Sequence, residues 1–245
     1  MKIVGVIPAR YSSSRLPGKP LLLIKGKPMI QNVYEQSEKS KFINKVIVAT
    51  DDKRIFYCVK NFGGEVVMTS TKHKSGTDRM YEAIRNVKCD IAVNIQGDEP
   101  YIDPKSIDIA IKPLLDDKSI NVSTLAVRVN NIADLLDENK VKVVLDKNNF
   151  ALYFSRSFIP YDLKQNPFQK WALKHNKYYK HIGLYVFRKE YLAKFIKMKK
   201  SYLENMEKLE QLRILESGDK IKVVITKKDS FSIDTKFDLN LINKL

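Results

Sequence analysis

The chain has 245 residues, of which 44% are apolar, and this is enough for one sizeable hydrophobic core in a single globular domain. Its 44 lysines and arginines exceed the 28 acidic residues and give a formal net charge of +16, but they are spread over nearly every segment and do not form the stripe typical of a nucleic-acid-binding protein. Cys58 and Cys89 lack the spacing of a zinc site or a disulfide framework. No apolar run reaches the ~18 residues of a transmembrane helix. From the charge distribution, the cysteines and the apolar runs together, we expect a cytoplasmic protein without a membrane or nucleic-acid partner.

The first apolar run, which starts at Ile3, predicts a buried strand that opens into a loop from Pro8 to Pro20. Prolines at both ends of this loop and at position 17 lack the backbone N–H that a sheet needs. The loop contains cations, hydroxyl groups and a glycine but no acid: Arg10, Arg15, Lys19, Ser12 to Ser14 and Gly18. Open α/β sheets bind ligands at the carboxyl ends of their strands. We therefore favour a polyphosphate site over the alternative, an ordinary solvated connection.

Strand and helix patterns then alternate as far as residue 95. Helices are predicted at Met29 to Ser37, after a cap at Asp51 or Asp52, and at Asp78 to Asn86. Strands are predicted at Lys45 to Thr50, Glu65 to Met68 and Ile91 to Ile95. This alternation predicts βαβ units and a mostly parallel sheet.

The fourth strand ends in Gln96-Gly97-Asp98-Glu99-Pro100. The acidic pair can be a structural turn that caps a helix from Pro104 to Leu115. It can also supply a Mg²⁺ ligand, because Asp98 lies at the same sheet edge as the cationic loop. We favour the metal site.

The pattern changes after Val122 and predicts an inserted antiparallel element. The predicted strands are Ser123 to Val129, Val141 to Leu145, Ala151 to Phe154, Lys180 to Phe187 and Ile221 to Ile225, and the predicted helices are Arg188 to Met198, Glu204 to Glu216 and one that begins at Asp234. The polar and aromatic segment 160–176 is either a flap or a dimer contact, and its pattern does not decide between them.

Seven motifs appear in the order and spacing of one protein family: Pro-Ala-Arg-Tyr-Ser-Ser-Ser-Arg-Leu-Pro-Gly-Lys-Pro, Val-Ala-Thr-Asp-Asp, His-Lys-Ser-Gly-Thr-Asp-Arg, Gln-Gly-Asp-Glu-Pro, Ala-Leu-Tyr-Phe-Ser-Arg, His-Ile-Gly-Leu-Tyr and Leu-Glu-Gln-Leu-Arg. The chain resembles the 3-deoxy-manno-octulosonate cytidylyltransferases from about Ile3 to Asp234. The resemblance implies a three-layer α/β/α, Rossmann-like nucleotidyltransferase fold of the glycosyltransferase-A type. It also implies one domain over residues 1–245, with a nucleotide-binding half to about residue 120 and a sugar-binding and dimerisation half after it.

The same resemblance implies nucleotidyl transfer with Mg²⁺ as cofactor. The anomeric hydroxyl of an acidic 3-deoxy sugar attacks the α-phosphate of CTP, and pyrophosphate leaves. The residues that would contact the nucleotide are Arg10, Ser12, Ser13, Arg15, Lys19, Ser75, Gly76, Thr77 and Arg79. Asp98 and Asp234 would hold the metal, and these two aspartates with Lys19 and Arg15 would be the catalytic residues.

On the sugar side, the resemblance implies a second set of residues: Gln96, Arg156, His181, Tyr185, Glu210 and Gln211. Arg156 would bind the sugar carboxylate with its planar fork of donors. Apart from the resemblance, His181 would be an ordinary strand histidine, and Glu210 with Gln211 a solvated helix face. The product would be the CMP-sugar used in lipopolysaccharide biosynthesis, and the enzyme would be a homodimer.

Two rival hypotheses stand beside this one. The first is a cytidylyltransferase for another acidic sugar, such as an 8-amino analogue or a sialic-acid-like sugar, which would differ around Arg156, His181 and Tyr185. The second is a basic nucleotide- or nucleic-acid-binding protein without activity, suggested by the charge of +16. The joint presence of Lys19, Asp98 and Asp234 argues against the second.

Overall fold

The computed structural model describes residues 1–12, 16–163, 178–233 and 235–244. Its main sheet contains β1 (Ile3–Ala9), β4 (Lys45–Thr50), β5 (Val66–Met68), β6 (Ile91–Asn94), β7 (Val122–Arg128), β8 (Lys142–Leu145), β9 (Ala151–Ser155), β10 (Tyr179–Arg188) and β11 (Lys222–Thr226). A separate hairpin consists of β2 (Leu23–Ile24) and β3 (Lys27–Pro28). The helices are α1 (Met29–Glu38), α2 (Lys53–Asn61), α3 (Gly76–Ile84), α4 (Pro104–Asp116), α5 (Ile132–Leu136), α6 (Lys189–Phe195), α7 (Tyr202–Glu207), α8 (Leu212–Glu216) and α9 (Lys236–Lys244).

The strand order across the main sheet is β11-β7-β10-β6-β1-β4-β5, with β8 and β9 joined through β10. Strands β5, β4, β1 and β6 run parallel, as does β11 with β7. The long strand β10 runs antiparallel to β6, β7 and β8, and β8 and β9 form an antiparallel hairpin. The predictions of a mostly parallel sheet and of an inserted antiparallel element are both confirmed.

Helices cover both faces of the sheet, because successive side chains of each buried strand point to opposite faces. In β1, Ile3 and Ile7 pack in one core cluster with residues of α1, α2 and α4. Val4 and Val6 pack in a second cluster with residues of α3, α6 and α8. The expected three layers follow from this alternation. No helix in the described part of the chain is long and apolar enough to cross a membrane.

Two sequence predictions were wrong in detail. β1 does not stop before Pro8 but continues through it, and Pro8 pairs with Ala49 of β4. A proline is tolerated there because the pairing of β6 with β1 ends at Val6, so the missing N–H removes no ladder bond.

The second error is the single helix predicted from Glu204 to Glu216, which is two short helices, α7 and α8. Lys208 adopts a left-handed conformation with φ of 54° and ends α7, and a turn through Leu209 leads into α8. Leu209 is buried in this turn, so tertiary packing interrupts a sequence of good helix formers.

Candidate functional site

A cavity of about 370 Å³ lies at the carboxyl ends of β1 and β6. Its wall combines the first loop, the beginning of α3, the end of β6, strand β10 and the turn between α7 and α8. Most of the predicted site residues line it, namely Arg10, Lys19, Ser75, Gly76, Thr77, Arg79, Gln96, Asp98, Tyr185, Glu210 and Gln211. Residues that are far apart in the sequence therefore share one cavity.

The other six predicted residues fall into two groups. Ser12, Arg156 and His181 are described by the structure but do not line the cavity. Ser13, Arg15 and Asp234 lie outside the described residues, as does most of the segment predicted to be a flap or a dimer contact.

Among the described cations of the first loop, Lys19 is less exposed than Arg10, and both line the cavity. Nζ of Lys19 donates to Oδ2 of Asp98 over 2.7 Å, and the two side chains are 12% and 29% exposed. Gly18 makes this approach possible, because its φ of 70° is a left-handed conformation and its N–H donates to the carbonyl oxygen of Tyr11 over 3.0 Å. The guanidinium of Arg54 lies over the Tyr11 ring at 3.2 Å from its centre, which stabilises this part of the loop.

The backbone around Asp98 is held on both sides. A Cβ on Gly97 would lie 3.1 Å from the carbonyl oxygen of Pro8, so glycine allows the β6 loop to approach β1 closely. Ile233 donates its N–H to the carbonyl oxygen of Asp98 over 3.0 Å. The Ile233 side chain is fully buried in a cluster with Leu16 of the first loop. Asp98 is thus coupled to the cationic loop through packed neighbours.

The amino-terminal turn of α3 forms the second side of the cavity. Ser75 caps the helix by accepting the N–H of Asp78 over 3.1 Å, and the next two residues, Gly76 and Thr77, line the cavity. The N–H groups of the first turn and the positive end of the helix dipole favour a negatively charged group there. The Glu210 carboxyl group contacts this turn through Thr77, and Lys19 lines the same cavity.

Arg79 is buried, with 4% exposure, and its guanidinium is already engaged. It donates to Asp51 at the end of β4 over 2.6 Å and to the hydroxyl of Thr69 over 2.6 Å. These bonds join the 69–75 loop to the sheet. In this structure the Arg79 guanidinium stabilises the cavity wall through these two contacts.

The turn between α7 and α8 brings Glu210 and Gln211 to the cavity. Thr77 donates its hydroxyl to Oε2 of Glu210 over 2.5 Å. Burial raises the pKa of Glu210, while hydrogen bonds from Thr77 and Ser75 oppose the shift. Apart from the resemblance, the sequence suggested that Glu210 lies on a solvated helix face. In the structure its carboxyl group is mostly buried.

His181 lies behind the cavity wall, where its ring packs against Tyr185 with ring centres 5.3 Å apart. Nε2 of His181 is 3.0 Å from the hydroxyl oxygen of Thr124. The Thr124 hydroxyl donates to the carbonyl oxygen of Leu184 over 2.8 Å. Thr124 has one proton to donate, so Nε2 of His181 carries the proton of a neutral imidazole. Burial lowers the pKa of His181 to about 3. Burial also raises the pKa of the Tyr185 phenol, so this group stays protonated.

Arg156 is used for contacts away from the cavity. Its Nε donates to the carbonyl oxygen of Glu207 over 2.7 Å, and its Nη1 donates to that of Glu138 over 3.0 Å. The Glu207 carboxylate also accepts the hydroxyl of Ser155 over 2.7 Å. These bonds join the end of β9 to α7.

Several cavity residues were missed by the sequence prediction. His73 and Lys74 line the wall next to Ser75, and the motif that contains all three was a signal for them. Asn94 was missed because it lies within an apolar run, where one polar residue gives no signal. The apolar wall residues Phe187, Phe195 and Ile214 have the sequence pattern of ordinary core residues.

Glu99 is the second acidic residue of the β6 loop and is almost fully buried. Burial and the neighbouring Asp98 carboxylate raise the pKa of Glu99 to about 8. In the described part of the chain, no three His, Cys, Asp or Glu side chains are grouped closely enough to hold a metal ion.

This fold, with a cationic loop and a carboxylate at the carboxyl edge of the sheet, defines a nucleotidyltransferase-like protein. The family model for cytidylyltransferases matches residues 4–221. The chain is 50% identical to the 3-deoxy-manno-octulosonate cytidylyltransferase of Geotalea daltonii over 99% of this chain and 97% of the relative. It is 49% identical to the protein of the same name from Parabacteroides distasonis over 98% of this chain and 96% of that one.

A solved structure of CMP:2-keto-3-deoxy-manno-octonic acid synthetase complexed with CTP is also similar. It superposes with a TM-score of 0.92 at 40% identity and covers 100% of this chain and 98% of its own. The chain belongs to the cytidylyltransferase family and, within it, to the 3-deoxy-manno-octulosonate cytidylyltransferases.

Proposed function

We propose that this protein transfers CMP from CTP to the anomeric hydroxyl of 3-deoxy-manno-octulosonate (Kdo) and releases pyrophosphate. The observation that carries the proposal is the single cavity shared by the first loop, Asp98 and the Glu210–Gln211 turn. Its lining includes cations that suit a triphosphate. It also includes hydroxyl, amide and carboxyl groups that suit a polyhydroxylated sugar.

The triphosphate would lie between the first loop and the beginning of α3. Arg10 and Lys19 provide positive charge there, and the N–H groups at Gly76 and Thr77 provide donors. Lys74 also lines the cavity and adds positive charge. Ser12, Ser13 and Arg15 belong to the same loop in the sequence and are proposed as further contacts.

Mg²⁺ fits the chemistry of this cavity. Asp98 offers a partly exposed carboxylate beside Lys19, and a Mg²⁺ ion commonly takes one or two carboxylates together with phosphate oxygens. Asp98 and Asp234 would hold the ion, and Ile233, the residue before Asp234, is hydrogen-bonded to Asp98. When bound, the metal would neutralise the phosphate charge.

The reaction needs positioning and charge neutralisation more than a protein nucleophile. The anomeric oxygen forms a bond to the α-phosphorus, the bond from that phosphorus to the bridging oxygen of the β-phosphate breaks, and the anomeric proton is released. Lys19 can neutralise charge on the phosphates during this exchange. The partly enclosed cavity keeps the two substrates in the required alignment.

The sugar would bind against Gln96, Tyr185, Glu210 and Gln211, all of which line the cavity. His181 supports the Tyr185 ring from behind. Arg156 remains a proposed carboxylate ligand, and this role requires it to exchange its bonds to backbone carbonyls for the sugar. A homodimer remains a proposal from the family resemblance.

The direct test is Mg²⁺-dependent pyrophosphate release from CTP, measured separately with Kdo, its 8-amino analogue and a sialic acid. We expect turnover with Kdo and much weaker turnover with sialic acid. Preference for the 8-amino analogue would reassign the sugar while keeping the chemistry. No release with any acidic sugar, together with salt-sensitive duplex DNA binding, would favour the non-enzymatic alternative.

A further inference from the structure

Asn94 is the last residue of β6 and a buried part of the cavity wall, with 4% exposure. Its Nδ2 donates to the hydroxyl oxygen of Thr77 over 3.5 Å. Thr77 gives its own proton to Glu210, so its oxygen can only accept from Asn94. This arrangement sets the orientation of the amide and leaves Oδ1 of Asn94 without a hydrogen-bond partner among the described residues.

Tyr185 lies directly opposite Asn94 in the antiparallel register of β10 and β6. Side chains at such paired positions lie on the same face of the sheet, and here both line the cavity. The Tyr185 hydroxyl is also buried; it lies beside the Thr124 side chain but forms no hydrogen bond of good geometry within the described part of the chain. The wall thus contains one unpaired acceptor and one unpaired donor on neighbouring strands.

Most buried polar groups in folded proteins are hydrogen-bonded, so two unpaired groups in one cavity wall indicate a missing ligand. An anion does not fit, because Oδ1 of Asn94 only accepts and the Glu210 carboxyl group lies close by. A hydroxyl group fits, since it can donate to Oδ1 of Asn94 and accept from the phenol of Tyr185.

We propose that Asn94 and Tyr185 form a subsite that recognises one hydroxyl group of the acceptor sugar, with Asn94 as a specificity-determining residue. The inference rests on the proposed sugar transfer. In this proposal a hydroxyl group of the sugar lies against the wall formed by β6 and β10. Neither the sugar carboxylate nor a phosphate lies there. The ribose of CTP also carries hydroxyl groups. The experiment below distinguishes binding of the ribose from binding of the sugar.

The test is Asn94→Leu, which keeps the branched shape of the side chain and removes both polar atoms. We expect the KM for the sugar to rise by roughly 10-fold, as for the loss of one hydrogen bond, with the KM for CTP unchanged. The midpoint of thermal unfolding should stay the same or rise, because an unpartnered buried acceptor is removed. A merely structural amide would instead lose stability and leave the KM for the sugar unchanged.

Ser123→Ala is the matched control, because Ser123 is fully buried and its hydroxyl already has a partner, the carbonyl oxygen of Ala110. That variant should lose stability without a change in either KM. Asn94→Ala, which adds no volume, is the second variant if leucine prevents folding. Combining Asn94→Leu with Tyr185→Phe should give less than the product of the two separate effects, since both contact one hydroxyl.

An unchanged KM for the sugar in both Asn94 variants would overturn the proposal, and a rise in the KM for CTP alone would assign the subsite to the ribose. Turnover by the wild-type protein reports on the proposed function, whereas the ratio of variant to wild type reports on the subsite. The two failures are therefore distinguishable.

Discussion

His181 makes the stability of this protein sensitive to acid. In the folded chain its pKa is about 3, compared with 6.5 for a free histidine, because burial disfavours the charged ring. As the pH falls below 6.5, the unfolded chain takes up a proton that the folded chain does not. The stabilising contribution of the neutral ring is therefore complete above about pH 6.5 and is lost as the pH falls toward 3.

The size of the effect follows from the difference between the two pKa values. Each pH unit within this window costs about 1.4 kcal/mol of unfolding free energy for one proton. At pH 5 the loss from His181 is therefore about 2 kcal/mol relative to pH 7.5. A loss of that size is a substantial fraction of the roughly 5–15 kcal/mol by which most domains are stable.

The perturbation is His181→Gln, which keeps a polar side chain beside Thr124 and cannot titrate. Urea unfolding of the wild type and the variant at pH 7.5 and pH 5.0 gives the four free energies needed. We expect the wild type to lose about 2 kcal/mol more than the variant between the two pH values.

His73→Gln is the control, because His73 is paired with Glu82 and its removal should leave the effect of His181 in place. Equal pH dependence in the wild type and His181→Gln would refute the lowered pKa of His181 in the folded chain.

Three further variants test other parts of the structure. Asp98→Asn should lower turnover by ~10²–10³-fold in a pyrophosphate assay while circular dichroism stays unchanged, and near-normal turnover would remove Asp98 from the metal site. Gly97→Ala places a Cβ against a backbone carbonyl at 3.1 Å and should cost about 1–3 kcal/mol in urea unfolding, so an unchanged midpoint would contradict the close approach. Arg213→Met removes the ion-pair partner of the buried Glu204 carboxylate and should cost about 3–5 kcal/mol. The control Lys194→Met removes a 60% exposed cation from a surface pair and should cost at most about 1 kcal/mol.

The first half of the chain could be predicted closely because its local signals agree with its fold. β4 spans Lys45–Thr50 as predicted, and Asp52 caps α2 by accepting the N–H of Arg54. In these βαβ units each strand is a short apolar run and each helix has a cap or a stop close by in the sequence. The position of Lys19 and Asp98 at one sheet edge also followed from the sequence, since parallel strands present their carboxyl ends together.

The second half was less predictable because nonlocal contacts override its local pattern. The run from Glu204 to Glu216 consists of good helix formers, yet the left-handed Lys208 and the buried Leu209 divide it and direct Glu210 into the cavity. The bonds of Arg156 to two backbone carbonyls are likewise absent from any sequence motif.

The sequence by itself determined the fold class, the family and the cationic loop, because periodicity, caps and motif spacing are local properties of the chain. Only the tertiary structure decided which polar groups are buried without partners. Asn94 is one polar residue in an apolar strand, and it became a candidate ligand because β10 places Tyr185 opposite it while Thr77 gives its proton to Glu210. Hydrogen-bond satisfaction depends on every neighbour of a group, and Asn94 and the neighbours named here come from four separate segments of the chain.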